Sequence, residues 1–433
     1  MKKFHVRTLG CSKNDVDSLQ IQSNLIDAGY LPVSDISEAD YIIINTCGFI
    51  QPAVEESIQT ILECASYEPE KLIVVGCMVQ RYARDLAIEI PEVDLFLGTG
   101  QMKYIVNYLE SSNKEKIYTD DLNSDQFALQ QFKQLHQFDK SYSYVKISEG
   151  CDNHCTYCII PKLRGKLRSR EINNIVREVR DIGSLGIKEV IIISQDTVRY
   201  GRDLGIKLID LLKSLDEIDT IDRIRLHYLY PDELDDEILD FIANSKRILP
   251  YFDIPMQHAS DRILRLMNRS VRYEDLVRIY NKIREKFDNS IIRTTFIVGF
   301  PGETEQDFEI LKNFVREYPM DAVGVFEYCD EEDAASFKLP NKVDPNIASK
   351  RRETIMNIQQ SISAKLLSNF VSKKYSAVVD EVYENEVISR IYSQSPEIDG
   401  FTIINNDGKV KEGEIVNIEI IESLDYDLRG RII

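Results

Sequence analysis

The 433 residues predict an α/β chain in three parts: an N-terminal parallel-sheet α/β domain over residues 1–123, a partial (β/α)6 barrel over 142–371 that ends in a long helix, and a small all-β barrel over 372–433. Three observations predict this. Short apolar runs alternate with helix-period segments in the first two parts, the pattern of parallel strands joined by crossover helices. A polar, glutamine-rich stretch at 124–141 (Gln126, Gln130, Gln131, Gln134, Gln137) interrupts the alternation and reads as a linker. The last part changes to short alternating runs separated by turn signals such as Asn406-Asp407-Gly408.

In the first domain the strands are expected at 5–9, 41–45, 72–75 and 93–97, with helices at 16–28, 53–66, 80–90 and 102–109. In the second, strands at 144–148, 190–194, 223–228, 251–255, 291–298 and 322–328 alternate with helices at 171–185, 207–215, 232–243, 260–267, 273–287 and 304–318. Six strand-helix units without a clean return make an incomplete barrel, open on one side. An amphipathic helix over 350–371 leads away from it. Terminal strands are expected at 376–382, 387–392, 401–404 and 415–421.

Composition bounds the function. The chain is 43% apolar, enough core for about three ordinary globular units. With 53 basic against 72 acidic residues the net charge is -19, which repels a phosphate backbone except where a local basic patch overrides it. Met1-Lys2-Lys3 runs into Phe4-His5-Val6-Arg7, not into the apolar stretch of a signal peptide, and no apolar run nears a membrane span, so a cytoplasmic protein is expected. A reducing compartment keeps the eight cysteines free for metals or catalysis.

Cys151, Cys155 and Cys158 follow a strand within a loop introduced by Gly150. Their spacing lets three thiolates wrap one compact ion or cluster. Zinc is one occupant, but a closed structural zinc site takes four ligands, typically as two separated pairs, and His154, between two of the cysteines, is an awkward fourth. A [4Fe-4S] cluster on three cysteines keeps one iron open to the amine and carboxylate of a small molecule. Cys11, Cys47 and Cys77 each follow a strand and adjoin a glycine, Gly10, Gly48 and Gly76, that permits close backbone approach. Ligands of open α/β sheets bind outside the carboxyl ends of the strands, so these thiols should converge there as a second three-cysteine cluster. Cys64, in a helix with Ile58, Ile61 and Ala65, is a packing residue, and the acids after Cys329 (Asp330, Glu331, Glu332, Asp333) argue against that thiol as a nucleophile.

The three-cysteine loop at the first barrel strand, with the aromatic Tyr157 before the last cysteine, resembles the radical S-adenosylmethionine superfamily. Leu9-Gly10-Cys11-Ser12-Lys13-Asn14, Asn45-Thr46-Cys47-Gly48 and Val75-Gly76-Cys77 are similar to the methylthiotransferase family within it, as are Ile160-Pro161 with Arg164-Gly165, Met267-Asn268-Arg269 and the segment 296–303. The C-terminal barrel is similar to that family's TRAM domain, and the resemblance covers nearly the whole chain. Gln195-Asp196-Thr197 with Tyr200-Gly201, Gln257-His258-Ala259-Ser260 and Asp425-Tyr426-Asp427-Leu428 resemble the branch that modifies an aspartate of small-subunit ribosomal protein twelve. Glu332-Asp333-Ala334-Ala335 departs from the family, which usually has a glycine-threonine pair there.

The resemblance implies two [4Fe-4S] clusters, S-adenosylmethionine as substrate and radical source, and an electron donor. Replacing hydrogen on a saturated, unactivated carbon by a thioether is beyond acid-base catalysis at neutral pH, so a radical is required. Cys151, Cys155 and Cys158 are the catalytic set, whose cluster would bind and cleave S-adenosylmethionine; the cluster on Cys11, Cys47 and Cys77 would hold or supply the sulfur. Both open irons must then face one cavity. Tyr157 is expected against the adenine, and Gly299, Glu303 and Gln195 are expected to contact the cofactor from strand ends. The loop 299–303 reads equally as a plain turn, and His258 equally as a structural hydrogen-bonder.

Lys162, Arg164, Lys166, Arg168 and Arg170 read either as a solvated edge or as a binding strip for carboxylates or RNA. The terminal domain carries seven basic residues (Lys373, Lys374, Arg390, Lys409, Lys411, Arg429, Arg431) against thirteen acidic ones, a balance poor for gripping RNA and suited to a basic ribosomal protein. The expected activity is therefore methylthiolation of the β-carbon of an aspartate in ribosomal protein twelve, within or near the ribosomal subunit and away from any membrane. The rivals are the same chemistry on a modified adenosine of tRNA, and a non-catalytic iron-sulfur or zinc RNA-binding adaptor.

Overall fold

The structure, a computed structural model, describes residues 1–111, 115–119, 122, 140–406 and 408–433. The expected linker lies outside the described residues except for its last two. Residues 3–118 build a six-stranded, all-parallel sheet from β1 (Lys3–Thr8), β2 (Leu31–Pro32), β3 (Tyr41–Thr46), β4 (Lys71–Gly76), β5 (Leu95–Leu97) and β6 (Ile117–Tyr118), in the order β2-β1-β3-β4-β5-β6. Every residue of β3 is buried, as a central strand covered on both faces requires. Ile42, Ile44, Val74 and Phe96 pack on one face with Cys64, while Phe4, Ile43, Ile73 and Val75 pack on the other. The chain order reverses beside β1, making a switch point between β1 and β3, where such sheets bind their ligands.

A ribbon and a second parallel sheet follow. β7 (Tyr142–Lys146) leads into the ribbon pair β8 (Ser148–Glu149) and β9 (Arg168–Ser169). The sheet continues with β10 (Glu189–Ile193), β11 (Arg223–Leu226), β12 (Ile248–Asp253), β13 (Ile291–Val298) and β14 (Ala322–Glu327), each parallel to the one before. Its order runs from β7 to β14 without closing, which is the expected open half-barrel. The convex face is apolar: Val145, Val190, Ile192, Ile224, Leu226, Phe252, Ile292 and Phe296 pack against the covering helices. The alternate positions turn inward and are largely polar or charged, among them Lys146, Glu189, Arg225, His227, Asp253 and Arg293.

Helix boundaries differ from expectation where caps decide them. The helix expected at 232–243 is Asp236–Asn244, because Asp235 caps it by accepting from the Ile238 N–H at 3.0 Å. The final long helix is Pro345–Ser368, begun by the Asp344 cap and a first-turn proline, and it ends before 371.

The terminal domain is a closed barrel of five strands: β15 (Lys374–Val382), β16 (Glu386–Arg390), β17 (Thr402–Asn405), β18 (Ile415–Ser423) and β19 (Leu428–Ile432), in the order β15-β16-β17-β19-β18. The sequence signals four of these; β19 closes the barrel by pairing antiparallel with β18 and parallel with β17. The segment after β16 packs into the half-barrel and ties to its strands. Fully buried Glu189 accepts from Arg225 at 2.9 Å and from Arg390 at 2.8 Å, and the same Arg225 donates to the Tyr392 and Gln394 carbonyls. Tyr251 donates to Asp399 at 2.6 Å, Tyr144 to Glu397 at 3.0 Å, and His227 shares a hydrogen bond with Ser395 at 2.9 Å. No helix among the described residues is long and apolar enough to cross a membrane.

Candidate active site

Cys11, Cys47 and Cys77 come together at the switch point, after β1, β3 and β4. Cys11 is the N-cap of the helix Ser12–Asp27, and Cys77 opens the helix Cys77–Glu89, so two of the three thiols stand at positive helix ends. Two glycines make the approach possible. Gly10 has φ +99°, and a Cβ there would lie 2.9 Å from Cys47 Cβ; a Cβ on Gly48 would fall 2.7 Å from the Met78 nitrogen. Asn14 ties the strand ends by donating to the carbonyls of Leu9 at 2.7 Å and Thr46 at 3.3 Å, and Asn45 returns a bond to the Asn14 carbonyl at 2.9 Å. Burial pushes the Cys77 thiol up to about 12, with Arg164 pulling the other way and Cys11 and Cys47 adding their own charge. Burial likewise raises Cys47, next to the same Cys11 and Arg164.

The second triad sits at the carboxyl edge of the half-barrel. Cys151 donates its N–H to the Gly165 carbonyl at 3.1 Å, and the backbone N–H groups of Asn153 and Ile160 point at the sulfurs of Cys151 and Cys158, each at 3.4 Å. Thr156 pins the loop to the carboxyl end of the helix Asp261–Leu266, N–H to the Met267 carbonyl at 3.0 Å and hydroxyl to the Leu266 carbonyl at 2.8 Å. Burial pushes Cys151 up to about 11 and Cys158 up to about 12. Arg269 and the Tyr157 hydroxyl both lie within hydrogen-bonding reach of Cys155. Each triad has one buried cysteine, Cys77 or Cys151, and two more open ones, with Cys11 exposed; thiols aimed at by N–H donors or helix ends fit a core that supplies positive charge and stabilises thiolates which burial alone disfavours. Among the described residues no three His, Cys, Asp or Glu side chains are drawn together as ligands of a single ion would be. A four-iron core sets its thiolates farther apart than one ion does.

A buried ionic network joins the triads. Arg164, six residues after Cys158 and 2% exposed, donates to Asn14 Oδ1 at 2.7 Å, Asp17 Oδ2 at 2.8 Å and Glu149 Oε2 at 3.1 Å. Lys146 pairs with Asp17 and, at 2.6 Å, with Glu149. Burial would raise the Glu149 carboxyl, but Arg164 and Lys146 prevail and hold it below the usual carboxylate range. Asn14 and Asp17 lie just beyond Cys11, and Glu149 and Arg164 bracket the second triad, so one network fixes both. Cys77 itself packs with Ile159 and Leu163, beside Cys158. A second tie comes from the acidic loop after β14. Arg81 is paired with Glu331 and Asp333, both at 2.8 Å, and donates to the Gly48 carbonyl at 3.1 Å, while Glu331 accepts the Gln51 N–H at 2.7 Å and the Cys329 thiol at 3.0 Å.

The other expected contacts are distributed unevenly. Gln195 donates to Glu149 Oε1 at 2.7 Å beside the second triad, and its Oε1 is buried without a partner. Asp196, next to it, accepts from Asn153 at 2.7 Å, has a second oxygen unpartnered, and is pushed up to about 6 by burial. These two orphaned acceptors fit a ligand bearing N–H or ammonium donors. The ring of Tyr157 packs with Ile263, Met267 and Phe300. Glu303 is turned into its own loop, accepting from the backbone of Gly299 and, at 3.1 Å, of Phe300; His258 lies 3.5 Å away and Arg351 3.4 Å away. Its Oε2 therefore shapes the turn, while its Oε1 is buried without a hydrogen-bond partner. Gly299 is required by packing, since a Cβ there would meet Ala348 Cβ at 2.5 Å.

His258 is fully buried and accepts the Ser260 N–H at 2.9 Å through Nδ1, while its Nε2 is buried without a hydrogen-bond partner. The alternating basic strip is neither a solvated edge nor a uniform binding face: Arg164 is buried in the network, and Arg170 is buried against Glu178 at 2.5 Å. Lys162, pairing with Asp333 at 3.0 Å, and Lys166 are exposed, and Arg168 is half-buried. Sequence reasoning gave no role to Lys13, Asn14, Asp17, Lys146, Glu149 and Arg269, although Lys13, Asn14 and Arg269 stand in segments that carry the family resemblance and Lys146 is a charge inside an expected strand.

Three family descriptions match the chain: "Uncharacterized protein family UPF0004" over residues 3–98, "Radical SAM superfamily" over 145–315 and "TRAM domain" over 371–433. The ribosomal protein uS12 methylthiotransferase RimO of Aquifex aeolicus (strain VF5) is 42% identical over 435 residues, covering 99% of this chain and 97% of that protein. The protein of the same name from Clostridioides difficile (strain 630) is 42% identical over 442 residues, covering 100% and 99%. That from Thermotoga maritima is 40% identical over 435 residues, covering 99% of each. Among solved structures, the radical S-adenosylmethionine methyltransferase TsrM from Kitasatospora setae aligns with a TM-score of 0.57 at 13% identity, over 75% of this chain and 73% of that chain. The cobalamin-dependent S-adenosylmethionine radical enzyme OxsB aligns with a TM-score of 0.51 at 12% identity, over 84% and 56%. At such identities the likeness is one of fold.

Proposed function

The chain belongs to the RimO family of ribosomal protein uS12 methylthiotransferases, and from that premise we propose that it places a methylthio group on the β-carbon of an aspartate in uS12. The chemistry is that of an iron-sulfur cluster with S-adenosylmethionine; beyond that, the proposal is two [4Fe-4S] clusters, one on Cys151, Cys155 and Cys158 and one on Cys11, Cys47 and Cys77. When bound, these groups supply the one-electron chemistry that opens an unactivated C–H bond, and the sulfur and methyl that replace the hydrogen.

The observation that carries the reading is the single buried network of Asn14, Asp17, Lys146, Glu149 and Arg164, which holds both triads in one register. Two steps that share one substrate carbon need both sites fixed relative to each other. Gln195, with Asp196 beside it, offers acceptors for the ammonium of S-adenosylmethionine, Tyr157 lines the same side of the triad, and the loop from Gly299 to Glu303 contributes backbone, the Glu303 Oε2 being engaged within the loop and its Oε1 unpartnered.

Charge favours a protein substrate over tRNA. Of the seven basic residues in the terminal domain, Arg390 is buried at the domain junction, Arg431 is paired with Glu419 at 2.7 Å and Arg429 lies 3.6 Å from Glu422. The four remaining lysines face thirteen acids in the same domain, a balance poor for a phosphate backbone and suited to a basic ribosomal protein. The test is anaerobic reconstitution with iron and sulfide, then incubation with S-adenosylmethionine, a strong reductant and either uS12 or tRNA. Mass spectrometry should find the methylthio group on an aspartate of uS12; its appearance on a tRNA nucleoside alone would reverse the substrate assignment.

A further inference from the structure

The ammonium of Lys13 lies 3.1 Å from the centre of the Tyr228 ring, 8% of the residue is exposed, and it has no carboxylate partner among the described residues. That is an uncommon state for a lysine, since buried charges are normally paired. The carboxylates around it are already engaged. Asp17 is held by Lys146 and Arg164, and Asp253 accepts from Arg293 at 2.9 Å and from the Tyr228 N–H at 3.0 Å. Lys13 sits at the positive end of the helix Ser12–Asp27, two residues from Cys11, so the dipole adds to its charge instead of offsetting it.

Its platform is built and strained. Tyr228 has φ +59° at the carboxyl end of β11, a left-handed conformation that a tyrosine adopts only when its surroundings impose it. Its carbonyl accepts the Thr197 N–H at 3.0 Å, the residue beside Asp196, whose carboxylate holds Asn153 in the second-triad loop. Lys13 is thus anchored through Cys11 to one triad and rests on a ring tied to the other. It faces the half-barrel interior, where its charge reaches His227.

We propose that Lys13, seated on Tyr228, is the counter-charge for the carboxylate of the substrate aspartate and so a specificity-determining residue. The inference rests on the uS12 reading above and deepens it. A side chain whose carboxylate is held at this point has its β-carbon one bond from the anchored group, which limits the positions that carbon can take between the triads. An asparagine presents the same shape with no charge for the ammonium to bind.

The experiment compares the wild type, Lys13→Gln and Lys13→Arg as reconstituted holoenzymes on uS12 and on uS12 carrying asparagine in place of the modified aspartate. Calorimetry gives the Kd for each uS12 form, and product mass spectrometry gives kcat and KM. Wild type should favour the aspartate form, and Lys13→Gln should weaken its binding about 10- to 100-fold, chiefly as KM, so that the two forms bind alike. Lys13→Arg should restore most of the preference. Unchanged discrimination in Lys13→Gln overturns the proposal, as does a loss accompanied by altered electron paramagnetic resonance of the reduced clusters, because Lys13 would then serve a cluster's charge. If wild type modifies neither form, it is the uS12 reading that fails.

Discussion

Replacing Arg164 with methionine keeps the length of the side chain and removes the one cation that touches Asn14, Asp17 and Glu149 together. Asp17 and Glu149 would then share the single ammonium of Lys146. The Arg164 side chain is 3% exposed and that of Asp17 4%, so solvent does not screen the loss. Breaking a buried pair by removing one partner costs about 3–5 kcal/mol. Lysine at this position keeps the charge but not the planar fork that serves three acceptors, and should fall between the two. A three-part chain is not expected to unfold in one step, so the assay is hydrogen exchange on the metal-free protein under anaerobic, reducing conditions. Arg164→Met should lower the opening free energy of the helix Ser12–Asp27 and of the segment 146–150 together. A parallel Asp17→Asn and Arg164→Met double variant should show coupling of about 0.5–3 kcal/mol. A change below about 1 kcal/mol in Arg164→Met, or loss of protection on one side of the junction only, would refute the claim that this network fixes the two triads in register.

Three further outcomes are expected. Replacing Cys151, Cys155 and Cys158 together by alanine should reduce iron from about eight to about four per chain, with the remainder lost on replacing Cys11, Cys47 and Cys77; iron analysis and paramagnetic resonance read this directly. Gly10→Ala should cost about 1–2 kcal/mol in backbone strain and also push against Cys47, so iron bound at the first triad should fall, whereas Gly186→Ala, with φ +91° and nothing within 4 Å, should show strain alone. Burial pushes His227 down to about 3, despite the opposing pull of Asp253, so between about pH 6.5 and 3 the unfolded chain binds a proton that the folded chain does not. Stability from this group is complete above that window and falls by about 1.4 kcal/mol per pH unit as pH drops through it; thermal midpoints from pH 7 to 5 should drop in the wild type and less in His227→Gln.

The cysteines were legible because each of Cys11, Cys47 and Cys77 follows an apolar strand and touches a glycine, and because Cys151, Cys155 and Cys158 are local. The half-barrel was legible from six apolar runs of ordinary length. Short elements were not: β2 and β6 have two residues each, too few for a period, and β19 contains Arg429, Gly430 and Arg431, which mask its alternation. Contacts between distant segments were also hidden. Nothing near Arg164 in the chain says that its partners are Asn14 and Asp17, and the run from Lys162 to Arg170 reads as surface because periodicity reports charge but not the ribbon that turns Arg164 and Arg170 inward. Glu303 looked like a ligand contact because it ends a glycine turn at a strand end; its burial is decided by His258 and Arg351, from elsewhere in the fold.

With Glu189, Arg225 and Arg390 locked together near its amino end, the half-barrel keeps its carboxyl edge as the working side, because the loop of Cys151, Cys155 and Cys158 stands there and Gln195 and Asp196 follow the end of β10. A substrate side chain bound for these groups has its shortest approach over that edge, past the loops that carry the cysteines.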